Sequence, residues 1–305
     1  MDIGEVGDCA VDTPLGELRV RDGGRGGVGP VAELPEFFCI DGRGFGGYTA
    51  AIAALGATRY APGKQLRSLR AVFTKTAVAG ELELEVLPLV RGRTATSVQV
   101  MVRQGGEPVV AALTWFAAPG LLPAEGAGRR AVAGVPGPED CPRLPWLAKI
   151  VPFLGGFDER AVDYPLSAEE FDGDFRGDDG DSIALWAVPQ WPAPRDGGGG
   201  DRDEGEGKGE DTVSAAIAER LVDVMLFDAH LMDAAYRGAA RGTVMTSLDL
   251  DVTWHAEAGA GGPTLFRARA ELDGLVANTS ATLADPGGTV RATATSQCRV
   301  YPPKG

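Results

Sequence analysis

The chain has 305 residues, of which 44% are hydrophobic, and its net charge of −14 gives a pI near 4.7. This length and hydrophobic content suffice for one large domain or two domains of medium size. The acidic charge argues against nucleic acid and anionic lipid surfaces as partners, since both are themselves negatively charged.

Targeting and metal-binding signals are weak throughout the sequence. The first ten residues lack the basic and apolar regions of a signal peptide, and no run of about 18 apolar residues predicts a membrane span. The four cysteines form no CxxC pair, and only His230 and His255 could join them in a metal site. We therefore expect a cytoplasmic protein with free thiols and with no metal or cofactor.

The first half of the chain predicts one helix followed by antiparallel strands. Residues 42–57 pass from a glycine turn into an alanine-rich helix. Apolar and strand-forming residues then predict successive strands, at 66–73, 81–90, 94–103 and 108–117. Residues 104–107 are typical of the hairpin turn between the last two strands. This order indicates an α+β layer of one helix on an antiparallel sheet.

The middle of the chain is irregular in composition. Residues 119–145 are rich in Pro, Gly and Ala, which favours a linker. Short elements are expected after it, with a helix near 145–154 and strands near 161–165 and 183–189. We therefore divide the chain into an N-terminal unit, a linker and a C-terminal unit, with boundaries 1–119, 120–155 and 156–305.

Residues 196–211 form a charged, glycine-rich segment of low complexity. Such a composition cannot bury apolar surface, so we expect a flexible acidic insertion at the surface.

The segment 212–237 predicts a long, largely buried helix with Thr212 as its N-cap. Apolar residues recur in it at helical spacing, namely Ile217, Leu221, Val224, Phe227 and Leu231. Asp223 interrupts this apolar run. It is either an acid at the helix edge near Arg220 or a residue kept for chemistry.

The second half repeats the order of elements of the first. The long helix precedes strands, predicted at 244–254, 264–272, 275–284 and 289–301. Two short pairs also recur about 180 residues apart: Ser68-Leu69 with Ser247-Leu248, and Gly105-Gly106 with Gly287-Gly288. This repetition indicates an internal duplication.

A set of short motifs in this order and spacing resembles the acyl-CoA thioesterase II family and its thioesterase-like relatives. The motifs are Phe45-Gly46-Gly47, Arg91-Gly92-Arg93-Thr94, Gln104-Gly105-Gly106, Ser247-Leu248-Asp249 and Ser296-Gln297. They cover most of residues 40–118 and 212–301. The resemblance implies an α+β double hotdog fold, in which two tandem repeats each consist of a long helix wrapped by an antiparallel sheet.

The resemblance also implies a set of catalytic residues. The family uses an aspartate on the second hotdog helix, a threonine or serine at the next strand, and a glutamine on the last strand. By position these are Asp223, Ser247 and Gln297, with Thr246 as an alternative hydroxyl. In this set the carboxylate would activate water, and the two neutral side chains would hold it. Taken singly, Ser247 and Gln297 are also typical of ordinary polar strand positions.

The glycine turn is a candidate substrate-binding element. Gly46 and Gly47 open a helix, where backbone N–H groups and the helix dipole can stabilise an oxyanion. Glycine lets a thioester oxygen approach the backbone closely, although a simple tight turn is an equal alternative. Arg91 and Arg93 are expected to pair with surface acids rather than with coenzyme A phosphates.

The function that the resemblance implies is hydrolysis of an acyl-CoA or acyl-carrier thioester to free acid and thiol, without a covalent acyl-enzyme. A non-catalytic acyl-thioester binding protein and an acyltransferase on the same fold remain alternatives. A hydratase is less favoured, because neither histidine lies in a glycine-flanked motif. Since hotdog proteins bury sheet edges by pairing, association into a homo-oligomer is a further expectation.

Overall fold

The computed structural model describes residues 8–23, 29–121, 134–171, 182–191, 211–212, 214–237, 239, 243–258 and 261–301. Apart from Asp211, the predicted acidic insertion 196–211 lies outside the described residues. No helix in the described part of the chain is both long and apolar enough to cross a membrane.

Four α-helices occur in these ranges, and two of them are long. They are α1 (Gly46–Thr58), α2 (Leu147–Ile150), α3 (Ala168–Phe171) and α4 (Ala215–Arg237). Short 3-10 helices cover Glu36–Phe38, Pro138–Asp140 and Pro152–Gly156.

The strands of the first half of the chain are β1 (Cys9–Thr13), β2 (Gly16–Arg21), β3 (Val31–Leu34), β4 (Cys39–Ile40), β5 (Arg43–Gly44), β6 (Gln65–Phe73), β7 (Gly80–Arg91), β8 (Ala95–Gln104) and β9 (Glu107–Ala117). The strands of the second half are β10 (Phe157–Asp163), β11 (Ser182–Pro189), β12 (Asp211–Thr212), β13 (Val244–Ser247), β14 (Asp249–Trp254), β15 (Thr264–Asp273), β16 (Val276–Ala284) and β17 (Val290–Tyr301).

Within the described ranges, fifteen of these strands form one sheet with the order β10-β11-β15-β16-β17-β14-β6-β9-β8-β7-β3-β2-β1-β12, and β13 pairs with β17 beside this path. The two halves of the chain meet where β14 pairs antiparallel with β6, with Asp251 opposite Arg70. Outward from this seam, β9, β8 and β7 follow on one side, and β17, β16 and β15 on the other. The element order is therefore the same on both sides of the seam.

The two long helices contact each other and pack on the sheet, α1 mainly against β6 to β9 and α4 mainly against β15 to β17. Eleven of the 13 residues of α1 are buried, most of them alanine or larger apolar residues. A helix that is apolar all round is typical of such a buried position. The N-terminus of α1 is thereby placed beside the middle of α4.

The structure confirms most of the predicted elements and corrects a helix cap. Thr212 is not the N-cap of α4, because it pairs with Ala10 in β12. The helix begins at Ala215, and the amide of Ile217 donates to Ser214 Oγ at 3.4 Å. Part of the predicted linker is also packed into the core. Phe153 is 1% exposed and stacks on Phe45, with ring centroids 4.4 Å apart.

Candidate functional site

A cavity of about 540 Å³ lies where the N-terminus of α1 meets the middle of α4 and the strand β13. Its wall includes Gly46 from α1, Asp228 from α4 and Ser247 from β13. Phe45 and Phe153 contribute apolar wall. The cavity therefore brings glycine backbone, a carboxylate and a hydroxyl to one place.

Asp228 is the polar centre of this wall and is only 1% exposed. Its Oδ1 accepts a hydrogen bond from the Ser247 hydroxyl at 2.8 Å. Its Oδ2 accepts one from the Gly47 amide at 2.7 Å. Each carboxylate oxygen therefore has one fixed neutral donor and keeps acceptor capacity for a water or substrate.

The helix packing at this point depends on glycine. A Cβ at Gly47 would lie 2.8 Å from the Phe45 ring and 3.0 Å from the Cβ of Asp228, which is too close for either neighbour. A Cβ at Gly46 would lie 3.0 Å from Asp228 Oδ2. The Phe45-Gly46-Gly47 motif thus lets the first turn of α1 reach the Asp228 carboxylate directly.

The environment of Asp228 favours its protonated form more than water does. Burial raises the pKa of its carboxyl to about 6, although the hydrogen bonds from Ser247 and Gly47 oppose this rise. At neutral pH the group is therefore largely ionised and has a pKa near that of an effective general base.

Asp223 lies elsewhere and has different partners. It is buried, accepts a hydrogen bond from Trp254 Nε1 at 2.8 Å, and has Arg220 Nη1 at 3.7 Å. Burial raises its pKa to about 6 as well, and the charge of Arg220 opposes that rise. The structure thus does not place Asp223 with Ser247, whose hydroxyl contacts Asp228 instead.

Gln297 does not join the cavity wall either. Its side chain is exposed and donates to Asn278 Oδ1 at 2.9 Å on the neighbouring strand β16. Ser247 and Thr246 both line the cavity, but the hydroxyl that bonds the Asp228 carboxylate is that of Ser247. Among the sequence-predicted site residues, the structure brings together Ser247, Gly46 and Gly47, with Asp228 at the place expected for Asp223.

Five other charged residues line this cavity. Asp41, Arg43, Lys75 and Arg299 are exposed at its rim, whereas Asp233 is largely buried. The three cations outnumber the one exposed carboxylate at the rim, in a protein whose net charge is −14. In the part of the chain that the structure describes, no group of three or more His, Cys, Asp or Glu side chains could hold a metal ion.

Residues 34–117 match the family model of the acyl-CoA thioesterase N-terminal domain. The resemblance to thioesterase-like hotdog proteins is confirmed. The match contains α1, its Phe45-Gly46-Gly47 turn and the strands β6 to β9. Among curated proteins, none matches the sequence.

Solved structures of similar shape support the same fold. A TesB protein of Mycobacterium avium subspecies paratuberculosis is 17% identical, with a TM-score of 0.66 over 90% of this chain and 93% of that chain. The acyl-CoA thioesterase II TesB2 of Mycobacterium marinum is 17% identical, with a TM-score of 0.66 over 90% and 94% of the two chains. A conserved protein of unknown function with a hot dog fold from Alicyclobacillus acidocaldarius is 17% identical, with a TM-score of 0.70 over 90% and 94%. Together with the large antiparallel sheet and its few helices, these likenesses identify a hotdog fold.

Proposed function

We propose that this protein hydrolyses acyl-CoA or related acyl thioesters to free acid and thiol. The observation that carries the proposal is the buried Asp228 carboxylate on the wall of the cavity, held by Ser247 and Gly47. The match of residues 34–117 to a thioesterase domain supports the choice of substrate. We also propose that the fold is a double hotdog, because the strand order repeats on either side of the β6–β14 seam.

In the proposed reaction Asp228 acts on water. Its ionised carboxylate accepts a proton as the water oxygen attacks the thioester carbonyl carbon. The Ser247 hydroxyl and the Gly47 amide hold the carboxylate in one orientation, so that little reorganisation is needed when the water reacts. The carbon–sulfur bond then breaks, and the thiolate leaves with a proton from Asp228 or solvent.

The oxyanion that forms during attack also needs donors. None of the described residues accepts a hydrogen bond from the Gly46 amide, and Gly46 lines the cavity at the start of α1. A free N–H at a helix N-terminus is a suitable donor, because the helix dipole adds to its hydrogen bond. We therefore assign the oxyanion to Gly46 and the carboxylate contact to Gly47.

The rim supports a coenzyme A substrate. Phosphates are anions, and Arg43, Lys75 and Arg299 bring three cations to the border of the cavity. Since these residues are exposed, each contact would be screened by salt. We expect KM for an acyl-CoA to rise with ionic strength, whereas KM for an uncharged short thioester of the same acyl group should change little.

The test is hydrolysis of a panel of acyl-CoA thioesters by the parent protein and by Asp228→Asn and Asp223→Asn. We expect release of free thiol by the parent and by Asp223→Asn, and its loss in Asp228→Asn. If only Asp223→Asn is inactive, Asp223 is the carboxylate that activates water, as the sequence predicted. If the parent binds a non-hydrolysable thioether analogue but releases no thiol, the protein is an acyl-thioester binder. An acyl product on an added amine or alcohol would identify an acyltransferase.

A further inference from the structure

A second carboxylate lies on the cavity wall beyond the proposed reaction site. Asp228, Ala229, Met232 and Asp233 all border the cavity from α4. At 3.6 residues per turn these four positions span about 140° of the helix circumference, with Asp228 and Asp233 at its two edges. Asp233 follows Asp228 by five residues, which corresponds to about 7.5 Å along the helix axis. The cavity therefore has a second acceptor, away from the carboxylate proposed to activate water.

Asp233 is held by a buried network. Its Oδ2 accepts from the Tyr164 hydroxyl at 2.9 Å and lies 2.9 Å from His230 Nδ1. The other ring nitrogen of His230 lies 3.0 Å from Oε1 of Glu159. Glu159, Tyr164 and His230 are all buried, whereas the Asp233 side chain is 18% exposed. The network thus fixes the carboxylate of the one member that borders the cavity.

The positive charge of His230 is also fixed near neutral pH. Burial alone would lower the pKa of His230, but its hydrogen bonds to Asp233 and Glu159 raise it to about 9. His230 is therefore a cation that directs one nitrogen to each carboxylate. Both donors of the network meet Asp233 at Oδ2, and among the described residues none donates to Oδ1.

We propose that Asp233 is a specificity-determining residue for acyl groups that carry a hydrogen-bond donor, a hydroxyl or an ammonium group. This inference rests on the proposed thioesterase function. An acyl chain that displaces water from Asp233 without replacing its hydrogen bond leaves a buried acceptor unsatisfied. A substrate donor removes that cost, which is why polar sites reject analogues that lack the matching group. Met232, Val110 and Leu154 provide apolar wall for the rest of the chain.

The experiment compares thioesters of equal chain length whose acyl groups are unsubstituted, or carry a hydroxyl or an amino group at successive carbons. We expect kcat/KM for the donor-bearing substrate to exceed that of the plain substrate by about tenfold at one carbon position. If only the amino-substituted acyl groups are preferred, the group that Asp233 recognises is a charged ammonium. If only the hydroxyl-substituted acyl groups are preferred, it is a neutral hydroxyl. No preference at any position overturns the proposal.

Variants connect the preference to Asp233. Asp233→Leu should abolish the preference, and Asp233→Asn should reduce it. Asp273→Asn, which changes an exposed carboxylate at the end of β15, serves as the control and should leave it unchanged. Thermal unfolding checks each variant, since Asp233→Leu leaves two buried donors without an acceptor. If Asp233→Leu does not fold, the substrate preference of Asp233→Asn tests the assignment. A preference that persists unchanged in the folded variants refutes the assignment.

Binding separates this inference from the proposed reaction. Thioether analogues of the same acyl groups are measured by calorimetry with the parent protein. If the analogues bind with the donor preference but no thioester is hydrolysed, the proposed function fails and the role of Asp233 stands. If plain thioesters are hydrolysed as well as donor-bearing ones, the role of Asp233 fails and the proposed function stands.

Discussion

Replacing Asp228 with asparagine tests the proposed site in two measurements at once. Asparagine has nearly the same shape, and its amide can still accept from Gly47 and donate to the Ser247 oxygen. It cannot accept a proton from water. We expect kcat to fall by about 10² to 10⁴, the usual contribution of a general base.

The same change should stabilise the fold at high pH. The pKa of Asp228 is about 6 in the folded protein, compared with 3.8 for an unperturbed carboxyl. The folded state therefore binds the proton more tightly, and between about pH 4 and pH 6 the stability falls as pH rises. Above pH 6, ionisation of the buried Asp228 lowers the free energy of unfolding of the parent protein by up to about 3 kcal/mol. The Asp228→Asn variant does not have this loss, because asparagine does not ionise. Below about pH 4 the two proteins should differ little.

The assay is thermal unfolding of parent and variant at pH 4 and pH 8, together with thiol release at pH 8. We expect the Tm of Asp228→Asn to exceed the parental Tm at pH 8 by several degrees, with little difference at pH 4. Retained activity would refute the role of Asp228 as base. A Tm of Asp228→Asn at pH 8 equal to or below that of the parent would refute the conclusion that Asp228 is a buried charge without a countercharge.

Asp223→Asn is the matched control, because Asp223 is equally buried and also has a pKa of about 6. Its carboxylate faces Arg220, which is itself fully buried. Because this pKa is raised even though Arg220 opposes the rise, the linkage that applies to Asp228 applies to Asp223 as well. We therefore expect Asp223→Asn to keep near-parental activity while its Tm at pH 8 also exceeds the parental value, so that thiol release distinguishes the two variants.

Three further changes test the surroundings of Asp228. Gly47→Ala places a Cβ 2.8 Å from the Phe45 ring, so it should lower both activity and stability, the latter by about 1–3 kcal/mol on thermal or urea unfolding. Ser247→Ala removes a hydrogen bond that lowers the Asp228 pKa, so the inflection of kcat/KM against pH should move above about 6, and Ser247→Thr should restore it. Gln297→Ala should change kcat/KM little in the same assay, because its side chain faces Asn278 on the exposed side of the sheet.

The long strands were predictable because each carries a regular pattern over many residues. The strand predicted at 81–90 corresponds to β7 (Gly80–Arg91), and the strand predicted at 289–301 corresponds to β17 (Val290–Tyr301). The strands β1 and β3 were not predicted. They have five and four residues, too few for a periodic pattern to distinguish them from a loop. Their burial comes from pairing with β2 and β7, which local sequence does not reveal.

The site was predicted less completely than the fold. Ser247 and Gly46 line the cavity, and Gly47 donates to the carboxylate there, but that carboxylate is Asp228 rather than Asp223. A signal for Asp228 was present in α4. Core positions at alternating steps of four and three residues run through Ile217, Leu221 and Val224, and the next step is Asp228. An acid on the apolar stripe itself is a stronger indication than an acid beside it.

The partners of the acids on α4 supply the physical reason to single out Asp228. The helix has four such acids, and three of them face a cation: Glu219 contacts Arg291, Asp223 faces Arg220, and Asp233 bonds His230. Each of these three acids therefore has a positively charged neighbour. Asp228 has only the neutral donors Ser247 and Gly47 among the described residues. A buried charge without a countercharge costs stability, and such a cost is typical of a functional site. The carboxylate that the fold leaves uncompensated is therefore the one best placed to take a proton from water.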